Sequence, residues 1–478
     1  MSLATSLSRS FILAGRPASG SEELAVTFPY DGSEIARVRL AGAADYELAL
    51  EAAEAARHEV AALPPFRRAE ILQACAALVA EQAEELARQI TLETGNAIWE
   101  TRLEVRRTGE ILLAAAEEAR RITGEIIPID AWPNGVGRVA HTRLFPVGTV
   151  LAITPYNAPL LLVAHKLAAA FAAGCPCIVR PASKTPLSAL SLGGLLVEAG
   201  APPAAVSVLP SSNEVAEAVL GDERVRAISF TGSARVGWHI RRVAHTARVT
   251  LELGGNGAVI VHRDADVAHA AKRCAFGGYL RAGQACISVQ RLYVHREILD
   301  DFRARLLDEM AKLNTGDPRD DDTMVGTLVS ESAACAAVDT VAEAIAAGAT
   351  VVVHGERHGA MLGLTLLEGV TEDMRVASSE VFAPVVGIIP YDDVDQAIRA
   401  ADASPYGLQA GIFTNDLRIV HRAFEGIEVG GLIVNDVNTF RVDHMPYGGA
   451  KRSGTGREGV RYAIRDFSDE RLLVVDPR

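Results

Sequence analysis

The chain has 478 residues, more than one ordinary hydrophobic core organises, so at least two domains sharing an interface are expected. Hydrophobic residues at 49% against 22% charged place it with soluble globular proteins rather than disordered or fibrous ones. Its 47 Lys and Arg against 60 Asp and Glu give a formal charge of -13, which repels phosphate backbones and anionic lipid surfaces and argues against nucleic-acid and membrane partners.

The N-terminus MSLATSLSRS lacks the charged start, apolar stretch and cleavage site of a secretory leader, and a cytoplasmic location is expected. Residues 43 to about 121 then carry helical spacing rich in Ala, Glu, Leu and Arg, broken at Leu63-Pro-Pro and at Glu93-Thr-Gly. An extended, turn-containing segment follows near 123–146 and reads as a strand pair reaching out from the body. After Gly148 short apolar runs alternate with helices: TVLAI, a helix ending at Gly174, CIVR, a helix to Gly200, VSVLP, RAISF, a helix near 233–245, and VTLEL. That alternation implies a parallel sheet covered by helices, with ligands expected beyond the carboxyl ends of its strands. The longest apolar run, around Pro159-LLLVA, meets His165-Lys166 far too soon for a membrane span. From about Gly255 a second alternation begins, with a helix over 266–280 and the strands QRLYVH, TVVVHG, VVGIIPY, AGIFT and GLIVND, and no linker separates the two halves.

Six cysteines, at 75, 175, 177, 274, 286 and 335, show no C-x-x-C pair and no metal-ligand spacing, so no metal site is expected and reduced thiols are. Five of them read as small buried hydrophobes. The sixth, Cys286 in RAGQACISVQR, stands among small residues with no histidine nearby in sequence to act as its base.

Four strand ends carry polar groups. Asn157 in ITPYNAP has an amide able to donate to an oxyanion, though Asn there also caps helices. Arg180, Ser183 and Lys184 in IVRPASKTP suit phosphate or ribose, or form a solvated loop. In FTGSARVG, Gly232 lets the backbone approach a ligand and Ser233 opens a helix, a weak anion signal outside GxGxxG. Glu252 in LELGG ends an apolar strand, where burial raises a carboxylate toward a useful base or where a structural ion pair holds it. Four such ends in order on one sheet carry more weight than any one of them.

Together with RAGQAC, Glu380-Val-Phe-Ala-Pro, YGLQAGIFT and MPYGGAKRSGTGREG, these motifs identify a chain that resembles the NAD(P)-dependent aldehyde dehydrogenases from about Ala43 to its C-terminus. The resemblance implies an α/β fold with a Rossmann-like cofactor domain (1–122 and 147–254), a second α/β catalytic domain (255–450) and a small β oligomerisation element (123–146 and 451–478). It implies Cys286 as nucleophile, Glu252 as general base, Asn157 as oxyanion donor beside the Cys286 backbone N–H, and Lys166 as a catalytic and cofactor-side lysine. A thiolate suits an aldehyde, which has no leaving group: addition gives a thiohemiacetal whose oxyanion collapses by expelling hydride to a nicotinamide.

On the cofactor side the resemblance implies Thr154, Pro155, Tyr156, Lys166, Arg180, Ser183, Lys184, Phe230, Gly232, Ser233, Gly254, Glu380 and Phe382. Arg180 stands where lysine is usual and Tyr156 where tryptophan is common. Ser183 stands where NAD-preferring members often carry glutamate, so NADP is expected to be preferred and NAD possible. VNDVNTFRVDHMPYGG resembles the branch acting on small hydroxylated or anionic aldehydes such as lactaldehyde, semialdehydes, glyceraldehyde 3-phosphate and phosphono-aldehydes. Arg441, on a loop expected at the substrate mouth, grips an anionic group or else pairs with Asp443, and Arg281, where asparagine is usual, joins Asn157 in the substrate pocket. Ala285, where phosphate-handling relatives often have arginine, weakens the phosphate reading.

Rival readings are a CoA-acylating relative, which Glu252 argues against, and a non-redox thioesterase-like hydrolase, which leaves the cofactor residues without purpose. The segment near 123–146 and DERLLVVDP resemble the family's oligomerisation elements, implying a homodimer or homotetramer.

Overall fold

The computed structural model describes residues 8–477; the first part of the leader reading, residues 1–7, lies outside them. Two large parallel sheets organise the chain. The first has five parallel strands in the order Arg248–Leu253, Val225–Gly232, Thr149–Ile153, Cys177–Arg180, Val206–Val208. Strand order reverses between Thr149–Ile153 and Val225–Gly232, the kind of switch point where open α/β sheets leave a crevice beyond the strands' carboxyl ends. The second sheet has six parallel strands, Thr365–Glu368, Val385–Tyr391, Val289–His295, Gly257–Val261, Gln409–Phe413 and Gly431–Val434, with Thr350–Val353 antiparallel at one edge.

Three residues, Gly254 to Asn256, carry the chain from the carboxyl end of Arg248–Leu253 to the amino end of Gly257–Val261. The carboxyl edge of the first sheet therefore faces the amino edge of the second, and the cleft between them collects loops from both. Helix Pro159–Ala173 runs through this region with all fifteen residues buried, as an all-round apolar helix must be.

Short N-terminal strands are present that helical and alternating patterns in the body do not announce. Phe11–Leu13 and Arg16–Ala18 extend the first sheet's edge, and Glu23–Thr27 pairs with Glu34–Arg39 in a separate small sheet. Phe11–Leu13 is docked on the remote strand Val206–Val208, a pairing that local periodicity does not announce.

The extended segment forms strand Val139–Pro146, which pairs along its whole length with Ser468–Val475 and at its tip with Ile126–Ile127. Gly454–Thr455 joins the first sheet beside Arg248–Leu253, and Val460, Ala463, Ile464 and Phe467 pack into the first sheet's core, because that helix has an apolar face to bury. No helix of the described residues is long and apolar enough to cross a membrane, and no group of three metal-ligating side chains occurs among them.

Candidate active site

A cavity of about 340 Å³ opens between the two sheets, bounded by Asn157, Glu252, Cys286, Arg441, Tyr447 and Glu458. Each arrives from a strand end or from a loop that a strand positions. Cys286 precedes strand Val289–His295 and is held by a turn at 280–283 in which Arg281 and Ala282 both take positive φ. The turn lies hard against the chain near Ala383, where a Cβ on Gly283 collides with the Ala383 carbonyl. Small residues around the cysteine are thus required by backbone contact.

Cys286 opens onto the cavity yet lies deep in the protein, and burial pushes its thiol up to about 11. Its sulfur lies 2.9 Å from the Tyr447 hydroxyl. Glu252 enters the cavity with neither carboxyl oxygen hydrogen-bonded. Burial, then the nearby charge of Glu458, raises its pKa well above the carboxylate range, against the pull of Arg441 and Lys166. Asn157 points its side-chain amide at the Gln284 carbonyl, 2.9 Å away, one peptide before the Ala285-Cys286 step.

Lys166 stands one layer back from the cavity. It does not line the cavity; at 1% exposure it lies behind the wall, bonded to Glu458 at 2.7 Å and Ser229 at 3.0 Å, and reaches the cavity only through Glu458. Burial opposes charge on Glu458, but Lys166 and Arg441 outweigh it and hold the carboxyl well below the usual range.

Arg281 stands beside Asn157 in the cavity wall. Its guanidinium bonds the Asn157 backbone carbonyl at 2.6 Å and pairs with buried Glu104 at 3.1 Å, so it borders the cavity as a strut spanning the two halves with its charge already matched. Arg441 borders the cavity with its side chain 8% exposed, 3.2 Å from Glu458, 3.0 Å from His165 Nε2 and 3.7 Å from Asp443. Its guanidinium carbon stacks 3.7 Å from the Tyr447 ring centroid. Asp443 in turn receives two bonds from Arg107, at 2.6 and 2.9 Å, and Arg107 borders the cavity too.

On the cofactor side, Pro155, Tyr156, Gly232, Ser233, Gly254, Glu380 and Phe382 border the same cavity. Tyr156 meets Phe382 edge-on, with centroids 6.1 Å apart. A Cβ on Gly254 collides with the Glu380 carboxylate, which accepts from Gly255 N–H at 3.1 Å, and burial lifts Glu380 to about 7. Ser183 and Lys184 are exposed on the loop after Cys177–Arg180, while Arg180 turns away to Ser211 and Asn213. Two further residues expected on the cofactor side are buried. Phe230 lies buried with its ring under Gly232, and Thr154 is buried with its N–H on the Arg180 carbonyl.

Helix amino ends at the crevice differ in a telling way. The amides of Leu160 and Leu161, opening Pro159–Ala173, are occupied by Glu104, and those of Leu187 and Ser188, opening Pro186–Glu198, by Glu93. Helix Ala234–Val243, opening at Ser233, has no side-chain cap. Its first-turn N–H groups face the cavity's edge beside Gly232, an arrangement suited to a pyrophosphate.

Four side chains of this site, Arg107, His165, Tyr447 and Glu458, were not singled out from the sequence. Tyr447 and Glu458 fall inside MPYGGAKRSGTGREG, so the signal was there at motif level. Arg107 has no local signal, being one arginine among several on an amphipathic helix.

The model of the aldehyde dehydrogenase family matches residues 16–472. The 3-sulfolactaldehyde dehydrogenase of Priestia megaterium is 42% identical over 457 residues, covering 95% of each chain. Aldehyde dehydrogenase 21 from Physcomitrella patens, solved with the reaction product succinate, superposes with a TM-score of 0.96 at 40% identity over 99% of both chains. The glyceraldehyde-3-phosphate dehydrogenase of Methanocaldococcus jannaschii, complexed with NADP, superposes with a TM-score of 0.92 at 35% identity, covering 96% of this chain and 100% of the other. With its cysteine, carboxyl and amide gathered at the meeting of two α/β sheets, the chain belongs to the aldehyde dehydrogenase family, and oxidation of an aldehyde with NAD(P) is its reaction.

Proposed function

We propose that the substrate is a small aldehyde bearing a hydroxyl or anionic group, that an anionic group is the better fit, and that NADP is the preferred cofactor. One observation carries the substrate reading. Arg107, Lys166 and Arg441 are three cations set against two carboxylates, Asp443 and Glu458, while burial keeps Glu252 and His165 toward their neutral forms. Of these, Arg107 and Arg441 border the cavity that holds the reacting cysteine, burial also raises Glu380 there toward its neutral form, and in that low-dielectric setting an anion is attracted far more strongly than in water. The sulfonated substrate named for the Priestia relative and the succinate bound by the moss enzyme are small anions of that class.

In this reading Cys286, as thiolate, adds to the aldehyde carbon: the S–C bond forms and the carbonyl electron pair moves onto oxygen. The Asn157 amide and the Cys286 backbone N–H stabilise that oxygen. A bound dinucleotide supplies the hydride acceptor that the oxidation requires. The Gly232–Ser233 turn with the uncapped helix behind it holds the pyrophosphate, Ser183 and Lys184 face the adenosine ribose, and Glu380 with Phe382 holds the nicotinamide end. Glu252 then takes a proton from water, whose oxygen attacks the acyl carbon and frees the acid and the Cys286 sulfur. Lys166 supports that step through Glu458, whose fixed negative charge helps set the affinity of Glu252 for its proton.

A homodimer or homotetramer, joined through the sheet of Ser468–Val475 and Val139–Pro146, and a cytoplasmic location complete the reading. The six free cysteines support the location.

The test compares succinic semialdehyde with butyraldehyde, each with NADP and NAD. A kcat/KM at least tenfold higher for the anionic aldehyde is expected, with the ratio collapsing toward one in Arg441→Met. Equal efficiencies in the wild-type enzyme would overturn the anionic assignment.

A further inference from the structure

We propose that Tyr447 is a further catalytic residue, whose hydroxyl donates a hydrogen bond to the Cys286 sulfur and activates it, with Arg441 stacked on the phenol ring to strengthen that donor. The proposal rests on the reading of Cys286 as the nucleophile.

Tyr447 is the one side chain that hydrogen-bonds the Cys286 sulfur among the described residues, at 2.9 Å. Its position is fixed from both sides. The backbone of Tyr447 exchanges two hydrogen bonds with Glu458, and the ring lies under the Arg441 guanidinium at 3.7 Å. Arg441 is itself held by Glu458 and His165. The phenol therefore approaches the sulfur on a rigid frame, which is what lets one hydrogen bond act at full strength.

The direction of the bond follows from the two groups' chemistry. Burial drives the Tyr447 phenol well above its ordinary pKa, so it keeps its proton and serves as donor. The sulfur must then accept, and it accepts best as thiolate. Burial pushes the Cys286 thiol up, and the Tyr447 hydroxyl followed by the Arg441 charge are the groups that pull it back. A cation over the ring face polarises the aromatic system and makes the O–H a better donor. This is a substitute for the histidine that the sequence around Cys286 lacks, and it works without taking a proton. The thiol proton passes to solvent before attack. As the S–C bond forms, charge leaves sulfur for the carbonyl oxygen, and Tyr447 retains its proton throughout.

Tyr447→Phe removes only the oxygen and keeps the ring that Arg441 stacks on. The readout is the pH dependence of Cys286 alkylation by iodoacetamide in the enzyme without substrate, located by mass spectrometry. We expect the midpoint to rise by about one pH unit, a roughly tenfold lower rate at pH 8. The alkaline-rising limb of kcat/KM should move by the same amount, with unchanged thermal midpoint and cofactor affinity. An alkylation profile that superposes on the wild type overturns the proposal, and so does a loss confined to KM with unaltered alkylation. Turnover retained by Cys286→Ser would instead overturn the nucleophile assignment, so the two failures are distinguishable.

Discussion

Glu252 has no hydrogen-bond partner for either oxygen and is buried in the cavity wall. Its folded pKa is above its unfolded one, so at low pH it is neutral in both states and costs nothing. As pH rises through its ordinary value, the unfolded chain ionises first and folding is penalised. Glu252→Gln should therefore raise the thermal midpoint relative to wild type at pH 8 while leaving it nearly unchanged at pH 4, and differential scanning calorimetry decides it. The same variant should still release about one equivalent of reduced nicotinamide per site in a burst and then stall, because acylation survives and water activation does not. Turnover in wild type should climb with pH from 6 to 9, since Cys286 and Glu252 must both shed protons. Ser183 allows a second residue-scale prediction: if the proposed cofactor reading holds, Ser183→Glu sets a carboxylate against the 2'-phosphate of NADP, and should cut kcat/KM for NADP at least tenfold while sparing NAD.

At this scale Cys286, Glu252 and Asn157 were legible because each stands beside a strand end in its own short motif. Arg441 and Arg281 border the cavity, but the ion pairs that hold them are not legible in the sequence. Their partners are remote in sequence, as with Arg281 and Glu104 or with Arg107 and Asp443, which are 336 positions apart. Charge at the mouth and charge locked in a buried network look the same in a linear string.

The helices beneath the site show what their sequence pattern conceals. Glu93, Glu100 and Glu104 read as ordinary charges on amphipathic helices, yet all three are buried and each holds a piece of the site. Glu93 occupies the amino end of helix Pro186–Glu198, Glu100 accepts from the Arg281 backbone, and Glu104 occupies the amino end of Pro159–Ala173 while pairing with Arg281. Glu104 thereby joins the loop bearing Asn157 to the turn before Cys286. Removing it leaves two buried amides without their acceptor and the buried Arg281 guanidinium without its ion-pair partner, and losing one partner of such a pair costs about 3–5 kcal/mol. Glu104→Ala should lower stability by that order in urea unfolding, with kcat reduced because Asn157 loses its strut. Glu104→Gln, which retains an acceptor oxygen, should recover most of the stability but less of kcat, since Arg281 has lost its counter-charge. Helix positions were legible because apolar periodicity is local, whereas capping across elements depends on the packing of the finished fold.

For the whole molecule, the two-sheet architecture follows from the alternating pattern, and its junction is the short Gly254–Asn256 crossing. That geometry gathers groups from both sheets of the chain around the cavity. The arm is different. Strand Ser468–Val475 is the edge of its sheet, and its successive side chains point to opposite faces. Leu472, Leu473, Val474 and Val475 are nevertheless all exposed, the first at 59%, and Ile126 at 85% and Trp132 at 77% lie on the same arm. A free edge with apolar residues on both faces is an unstable surface for a solitary protein and a natural site for strand pairing and burial against another copy. We predict that the wild-type chain sediments as a dimer or tetramer at micromolar concentration, and that Leu472→Asp with Val474→Lys shifts it to smaller species. Because Gly232, Ser233, Glu380 and Phe382, the residues proposed to hold the cofactor, all border one cavity of the chain, the dissociated protein should still bind NADP with near wild-type affinity. A wild-type monomer by light scattering would overturn the assembly, while dissociation that abolishes cofactor binding would show that the arm supports the site from outside the protomer.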